Sequence, residues 1–328
     1  MHKPKAVVLI VALAVAPSLG NQAVAQPAPT YPTKSVRLIV PLAPGGGNDT
    51  IARLIGQKIT PALGQQIVVD NRAGAGGIIA AEMVARSPAD GYTLLLGNVA
   101  VLTIIPNAQK KVPYDALKDF APVSLIASAP LLVVVHPSLP VSSIRQLVIL
   151  AKARPEAINY ASNGMGSSTH LATAMFAMMT GVSMVHVPYK GLALAMTDLL
   201  SGQVPLMFSS AVAMLPHVKN GKLRAIAMTG AKRTPALAEV PTVAEAGVPG
   251  YESGSWYGIV VPAHTPRAIV ERLNKEIVAA VRSQEIQERL GKEAVTPVGN
   301  SPEEFSAHIS AEFVRMARVM REAKIVLE

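Results

Sequence analysis

Short apolar runs rich in β-branched residues alternate with stretches of helical periodicity along most of this chain. The strand-like runs cover 36–40, 67–69, 93–96, 131–135, 158–160, 184–187, 205–208 and 223–228. Helix-period patterns fill 50–62, 77–86, 142–153, 168–179, 193–201 and 211–219 between most of them. Continuous apolar strands belong to sheets covered on both faces. Their alternation with helices over short joins predicts an α/β fold with parallel sheets. The chain changes character over 242–257, which is punctuated by Gly and Pro. A further strand is expected over 256–261 and helices over about 266–281, 284–291 and 302–323. Ser301, Pro302 and Glu304 form the signature of a capping box opening the last helix.

The joins carry the candidate chemistry. After the first strand come Pro44, Gly45, Gly46, Gly47, Asn48, Asp49 and Thr50, then a helix. Three glycines leave backbone N–H groups open at the positive end of a helix, where an anion can approach. Asn48, Asp49 and Thr50 are all N-cap candidates. The construction recurs at Ser162, Asn163, Gly164, Met165, Gly166, Ser167, Ser168 and His170, more than a hundred residues later. Gly97 and Asn98 end the strand between these two loops. Such turns lie at the carboxyl ends of strands, where doubly wound sheets bind ligands, and their separation in sequence predicts two lobes facing one cleft. Ligand contact is assigned to 45–47 and 164–167. Gly74, Gly76 and Gly77 depart from the dinucleotide spacing G-x-G-x-x-G and are assigned to helix–strand packing. No Walker lysine follows Gly47, so a nucleotide P-loop is excluded.

Asp49 would repel an anion unless it caps the helix or meets an ammonium group. Tyr189 suits a pocket wall better than the neighbouring Lys190, because its ring can pack while its hydroxyl donates. Trp256, the one tryptophan, is expected to pack between segments. The seven histidines are scattered without H-x-x-x-H or H-E-x-x-H spacing, so no metal site is expected. No G-x-S-x-G elbow occurs. Ser167 or His170 serving an exported α/β hydrolase is the rival reading from a different functional class.

Composition narrows the setting. The 328 residues are half apolar and 16% charged, enough for two substantial cores. A basic start at Lys3 and Lys5, an apolar stretch over 6–16 and the small-x-small pattern Ala23-Val24-Ala25 predict a signal peptide over 1–25 and an exported protein. Losing Lys3 and Lys5 lowers the net charge from +9 to +7, a balance suited to anionic small molecules or membrane surfaces. There is no cysteine, which excludes disulfides, thiolate catalysis and a lipidated cysteine. No basic run interleaves with aromatics, so nucleic acid is not an expected partner.

An ordered series of segments spans nearly the whole mature chain. It runs through Pro44-Gly45-Gly46 with Asp49, Asn71-Arg72-Ala73-Gly74-Ala75-Gly76-Gly77, Asp90-Gly91-Tyr92-Thr93-Leu94-Leu95 and Pro113-Tyr114-Asp115. Asp119-Phe120-Ala121-Pro122-Val123-Ser124-Leu125, Tyr160-Ala161-Ser162, His170-Leu171-Ala172 and His186-Val187-Pro188-Tyr189-Lys190-Gly191 follow. Asp198-Leu199-Leu200-Ser201-Gly202-Gln203-Val204, Pro241-Thr242-Val243-Ala244-Glu245-Ala246-Gly247 and Trp256-Tyr257-Gly258 complete it. This series resembles the Bug family, the extracytoplasmic solute receptors of tripartite tricarboxylate transporters.

The resemblance implies a two-lobed α/β periplasmic binding protein of the type II, Venus-flytrap kind, with a cleft between two doubly wound domains. The expected lobes are 27–128 with 231–328, and 129–230, joined by crossings near 124–133 and 223–232. It implies a small carboxylate ligand, whether dicarboxylate, tricarboxylate, amino acid or aromatic acid, and permease subunits as membrane partners. A monomer without cofactor or metal is expected. Carried over by position, Gly45, Gly46 and their neighbours take one carboxylate, and the second lobe supplies Ser162, Ser167 and Tyr189. Two departures stand at the cleft: Ser209 where many relatives carry an acid, and Asn98 where a Thr-Ser-Gly type stretch is common. Losing the acid at 209 favours a plain carboxylate or aromatic acid over an amino acid. A ligand-sensing accessory to a membrane kinase would use the same trap.

Overall fold

The computed structural model describes residues 31–42, 44, 47–109, 111–189, 191–292 and 294–322. The expected signal peptide, Gly45, Gly46 and Lys190 lie outside the described residues. In chain order the elements are β1 (Val36–Val40), α1 (Gly47–Leu63), β2 (Ile67–Asn71), α2 (Ile78–Ala85), β3 (Thr93–Asn98), α3 (Ile105–Ala108) and β4 (Phe120–Val135). Then come α4 (Ile144–Ala153), β5 (Asn159–Ser162), α5 (Ser168–Thr180), β6 (Val185–Pro188), α6 (Leu192–Ser201), β7 (Leu206–Ser210), α7 (Ala211–Lys219) and β8 (Arg224–Met228). β9 (Gly254–Pro262), α8 (Arg267–Val281), α9 (Gln284–Lys292), β10 (Thr296–Pro297) and α10 (Pro302–Glu322) finish the chain.

The expected alternation is present, and most elements lie within a few residues of their sequence positions. The capping box forms as read: Glu304 N–H donates to Ser301 Oγ at 3.1 Å, and Ser301 N–H to the Glu304 carboxylate at 2.9 Å. The sheets are mixed, however, and not wholly parallel. β1 pairs in parallel with β2 and β3, and β5 with β6 and β7. β9 runs antiparallel between β3 and β4, and β4 runs antiparallel to β7 and β8. Sequence periodicity reports burial and not direction, so strands returning against the βαβ run read the same as parallel ones.

β4 is the element that sequence patterning cut short, to 131–135. Its first eleven residues contain Pro122, Ser124, Ser128 and Pro130, which lower strand propensity. The structure absorbs these residues in register shifts against β9 at Pro122/Ser124 and Leu125/Ala127. Sixteen residues extend about 50 Å, so β4 serves both sheets: up to Pro130 it pairs with β9, and from Leu131 it lies between β7 and β8. The chain returns between β8 and β9, and Thr229 ties the two crossings together. Thr229 N–H donates to the Leu131 carbonyl at 2.9 Å, while Leu131 N–H donates to Thr229 Oγ1 at 2.7 Å. The same hydroxyl donates to the Ser253 carbonyl at 2.6 Å. Beside it, a Cβ on Gly254 would stand 2.9 Å from the Ala129 carbonyl oxygen. The result is an α/β fold whose two groups of strands are joined through β4.

Helices cover the sheets from both sides. One core gathers Ile39, Leu95, Val133, Phe176, Phe208 and Phe305, and another gathers Leu132, Val134, Met207, Met214 and Met228. Alternate residues of β4 and β7 divide between them, as a period of two requires. Where β9 meets β3, Gly258 sits opposite Gly97. A Cβ on Gly258 would lie 2.1 Å from Phe305 Cζ, and one on Gly97 would lie 2.4 Å from Leu102 Cδ1. These glycines let α10 and the segment after β3 sit directly on the strands. Gly258→Ala should therefore lower stability by about 1–3 kcal/mol through overpacking. In denaturant titrations that cost should shrink in a Phe305→Leu background; an undiminished cost would remove the ring as its cause.

Candidate functional site

The first half of the site is the amino-terminal end of α1. The helix begins at Gly47, so Asn48, Asp49 and Thr50 occupy its first turn and do not precede it. Asn48 is buried, and its Oδ1 accepts from Asn98 Nδ2 at 2.7 Å. Asn98 Oδ1 in turn accepts from the N–H groups of Ala100 and Val101 at 2.9 and 3.1 Å. One side chain thus caps the turn after β3 and fixes the start of α1. Asp49 is 5% exposed and pairs with Arg53 one helical turn on at 3.0 Å. Its charge faces the helix dipole favourably and is met by a guanidinium, which answers the sequence objection to an acid at this position.

The second half is the start of α5. Ser167 is the N-cap, accepting from His170 N–H at 3.3 Å while its hydroxyl donates to the Gly164 carbonyl at 2.7 Å. Gly164 takes φ +131 with its missing Cβ 3.2 Å from the Tyr189 carbonyl, a conformation and a contact that both favour glycine. Asn163 Oδ1 is buried and has no hydrogen-bond partner among the described residues. Ser168 is half-buried and stands 3.5 Å, Oγ to Oγ, from Ser255.

β9 brings the halves together. Ser255 and Tyr257 point to one side, opposite Trp256 and Gly258, whose partner is Phe305. Ser255 reaches the start of α5, and the Tyr257 hydroxyl lies 3.1 Å from where a Cβ on Gly47 would stand, at the start of α1. Tyr257 is also the β-ladder partner of Asn98. Two helix amino termini therefore flank one face of one strand, over a repeat of about 7 Å. Sequence reading placed a strand here but missed these two residues. The alternation of small or polar 255 and 257 with Trp256 and Gly258 was the available signal.

Other expected site residues have different surroundings. Ser162 is fully buried, its Oγ 2.7 Å from His186 Nε2 and accepting from Gly164 N–H at 3.1 Å; it shapes the loop from beneath. Tyr189 donates to Asp198 at 2.6 Å, and burial with that bond pushes its phenol up to about 12. Gly97 abuts Leu102 and has a packing role. Ser209 is fully buried with its hydroxyl unpartnered among the described residues, whereas Ser210 beside it is exposed. Strand alternation turns position 209 to the side of Met207 and position 210 to the side of Phe208. Pro44 is exposed in the loop before α1. The packing assignment for the 74–77 loop agrees with Gly77, whose Cβ would meet Val101 Cγ1 at 2.5 Å. Trp256 is 3% exposed and packs edge-on against Phe305. Ser167 and His170 meet through a cap and not through a hydroxyl–imidazole bond, and no metal-holding cluster occurs among the described residues.

Residues 51–325 match the family model described as tripartite tricarboxylate transporter family receptor. BugT of Bordetella pertussis (strain Tohama I) is 38% identical over 296 residues, spanning 90% of this chain and 91% of that protein. The solved structure of R. palustris Rpa4515 with adipate is 40% identical, with TM-score 0.78, and covers 90% of this chain and 99% of its own. MatC (Rpa3494) from Rhodopseudomonas palustris with bound malate is 31% identical, with TM-score 0.73, covering 88% and 99%.

Under the α5 loop lies a stack of rings. His170 and His186 are 3.8 Å apart and nearly parallel, with Tyr160 4.9 Å from His186. Gly166 N–H donates to His170 Nδ1 at 3.1 Å, so the neutral ring carries its proton on Nε2. Burial, with a smaller contribution from His186, lowers His170 to about 4 from an ordinary 6.5. Burial lowers His186 and His308 too. The unfolded chain binds these protons before the folded one, so stability is complete above 6.5 and falls as the pH drops toward 4. The His170 share is on the order of 3 kcal/mol. Urea midpoints across that range should fall steeply for the native chain and less steeply for His170→Gln. Parallel slopes would take His170 out of the acid response.

Proposed function

Because the chain belongs to the tripartite tricarboxylate transporter receptor family, we propose that it is an exported receptor for a small dicarboxylate. The acid is held between the amino-terminal ends of α1 and α5 and delivered to a tripartite tricarboxylate-type permease. The observation that carries this is the convergence of both helix starts on Ser255 and Tyr257 of β9. Each start offers backbone N–H groups and a positive dipole end to one carboxylate. The two-ended arrangement is matched by the acids named in the adipate and malate complexes of relatives.

Gly45, Gly46, Gly47 and Asn48 take one carboxylate in this reading, with Tyr257 at its side. Asn163, Gly164, Ser167 and Ser168 take the other. Ser210, in place of Ser209, faces the ligand from β7. The lobes are 27–128 with 231–328, and 129–230, and they close about the Thr229 crossing. The segment over 1–25 directs export to the periplasm, in keeping with the family. Among the described residues no helix is long and apolar enough to cross a membrane. The family is one of solute receptors, and the chain binds without turnover.

A thermal-shift panel of adipate, malate, citrate, amino acids and benzoate-type acids tests the reading. A dicarboxylate at 100 times its dissociation constant should add about 2.7 kcal/mol and be recovered unchanged. Ser168→Trp should abolish the shift and leave the ligand-free midpoint nearly where it was. A response confined to amino acids, or consumption of the acid, would overturn the proposal.

A further inference from the structure

α4 carries two rows of side chains. Ile144, Leu147 and Ala151 are buried, the spacing of a helix stripe docked on a core. Arg145, Val148, Ile149 and Lys152 form a second row at i, i+3, i+4 and i+7. All four line a groove of about 550 Å³, together with Met179 at the end of α5 and the turn at 246–249. This groove is about 17 Å along α5 from the helix start described above, so it is separate from the proposed ligand site.

Two properties of the groove stand together. Ile149 is 59% exposed and Met179 39%, a pair of large, partly exposed apolar side chains on neighbouring helices. The charge around them has one sign. α4 contains no acidic residue, no carboxylate lines the groove, and among the described residues neither Arg145 nor Lys152 forms an ion pair. Glu245, next to the turn, is already held by Arg233 at 2.8 Å and by Thr242 N–H at 2.9 Å.

We infer that this face of α4 and α5 docks the protein on an anionic phospholipid surface. Arg145 and Lys152 meet headgroup phosphates at the two ends of the row, and Ile149 with Met179 enters the first methylenes below them. Cations flanking an exposed apolar centre make the pattern of an interfacial helix. Each cation near such a surface contributes to attachment, and salt weakens that contribution. The inference goes beyond the receptor reading: it would keep the protein near the bilayer that holds its permease, whether or not a solute is bound.

The mature protein, without added acid, is sedimented with vesicles of phosphatidylcholine alone and of phosphatidylcholine with phosphatidylglycerol in equal parts. Binding is expected only to the anionic vesicles and should weaken as salt is raised. Arg145→Glu with Lys152→Glu should lower the partition coefficient roughly tenfold or more, and Ile149→Ser should lower it while leaving the salt dependence in place. Both variants should keep the native thermal midpoint and respond as the native chain does to the carboxylate panel. Loss of docking is thereby separated from loss of fold and from failure of the receptor reading. Equal binding to neutral vesicles, no binding to either kind, or unchanged binding by the charge-reversed variant would overturn the inference. Attachment to native membranes but not to pure lipid would overturn it in favour of a protein partner.

Discussion

Everything in this molecule depends on one strand being shared. β4 passes through both sheets, and the chain returns beside it through a clasp centred on the Thr229 hydroxyl. That hydroxyl accepts from Leu131 and donates to Ser253, while the Thr229 backbone bonds to the same two residues. Thr229 is fully buried, and its polar groups are spent on these bonds, as a buried hydroxyl requires. The clasp fixes where β9 starts, and β9 in turn determines how far apart the α1 and α5 termini stand. A crossing made of strand backbone can twist while keeping its ladder.

Glycine has two separate uses here. At Gly77, Gly97 and Gly258 the missing Cβ admits a neighbouring apolar side chain, and any substituent would collide with Val101, Leu102 or Phe305. At Gly164 the residue supports a positive φ, in a turn whose Gly164 N–H is held by Ser162 Oγ. Both uses produce Gly-rich turns after strands. Only the neighbours tell them apart, and those neighbours come from distant segments.

The α5 loop rests on a platform of three stacked rings and on Ser162. This layer is polar and largely buried, and it holds the loop through Gly164 and Gly166. A chain without cysteine needs its loops set by packing and hydrogen bonds of this kind. The cost is sensitivity to acid, since protonating His170 would remove the acceptor that Gly166 uses.

Features that depend on local order are legible in the chain itself. β-branched runs and helical periodicity located nearly every strand and helix, the Ser301–Glu304 box closed as read, and both Gly-rich helix starts were recognised. Their chemistry is written in adjacent residues, so periodicity and capping suffice to find it. Features that depend on register emerge only in the folded molecule. Folding runs β9 antiparallel into the middle of the sheet, carries β4 through two prolines, and turns Ser209 inward while leaving Ser210 exposed. It also places Ser255 and Tyr257 between two helix starts that lie over a hundred residues apart. A one-residue change of register reverses which side chains face a cleft, and register is set by pairing between remote strands. That information is absent from any single stretch of the chain and exists only once the strands have met.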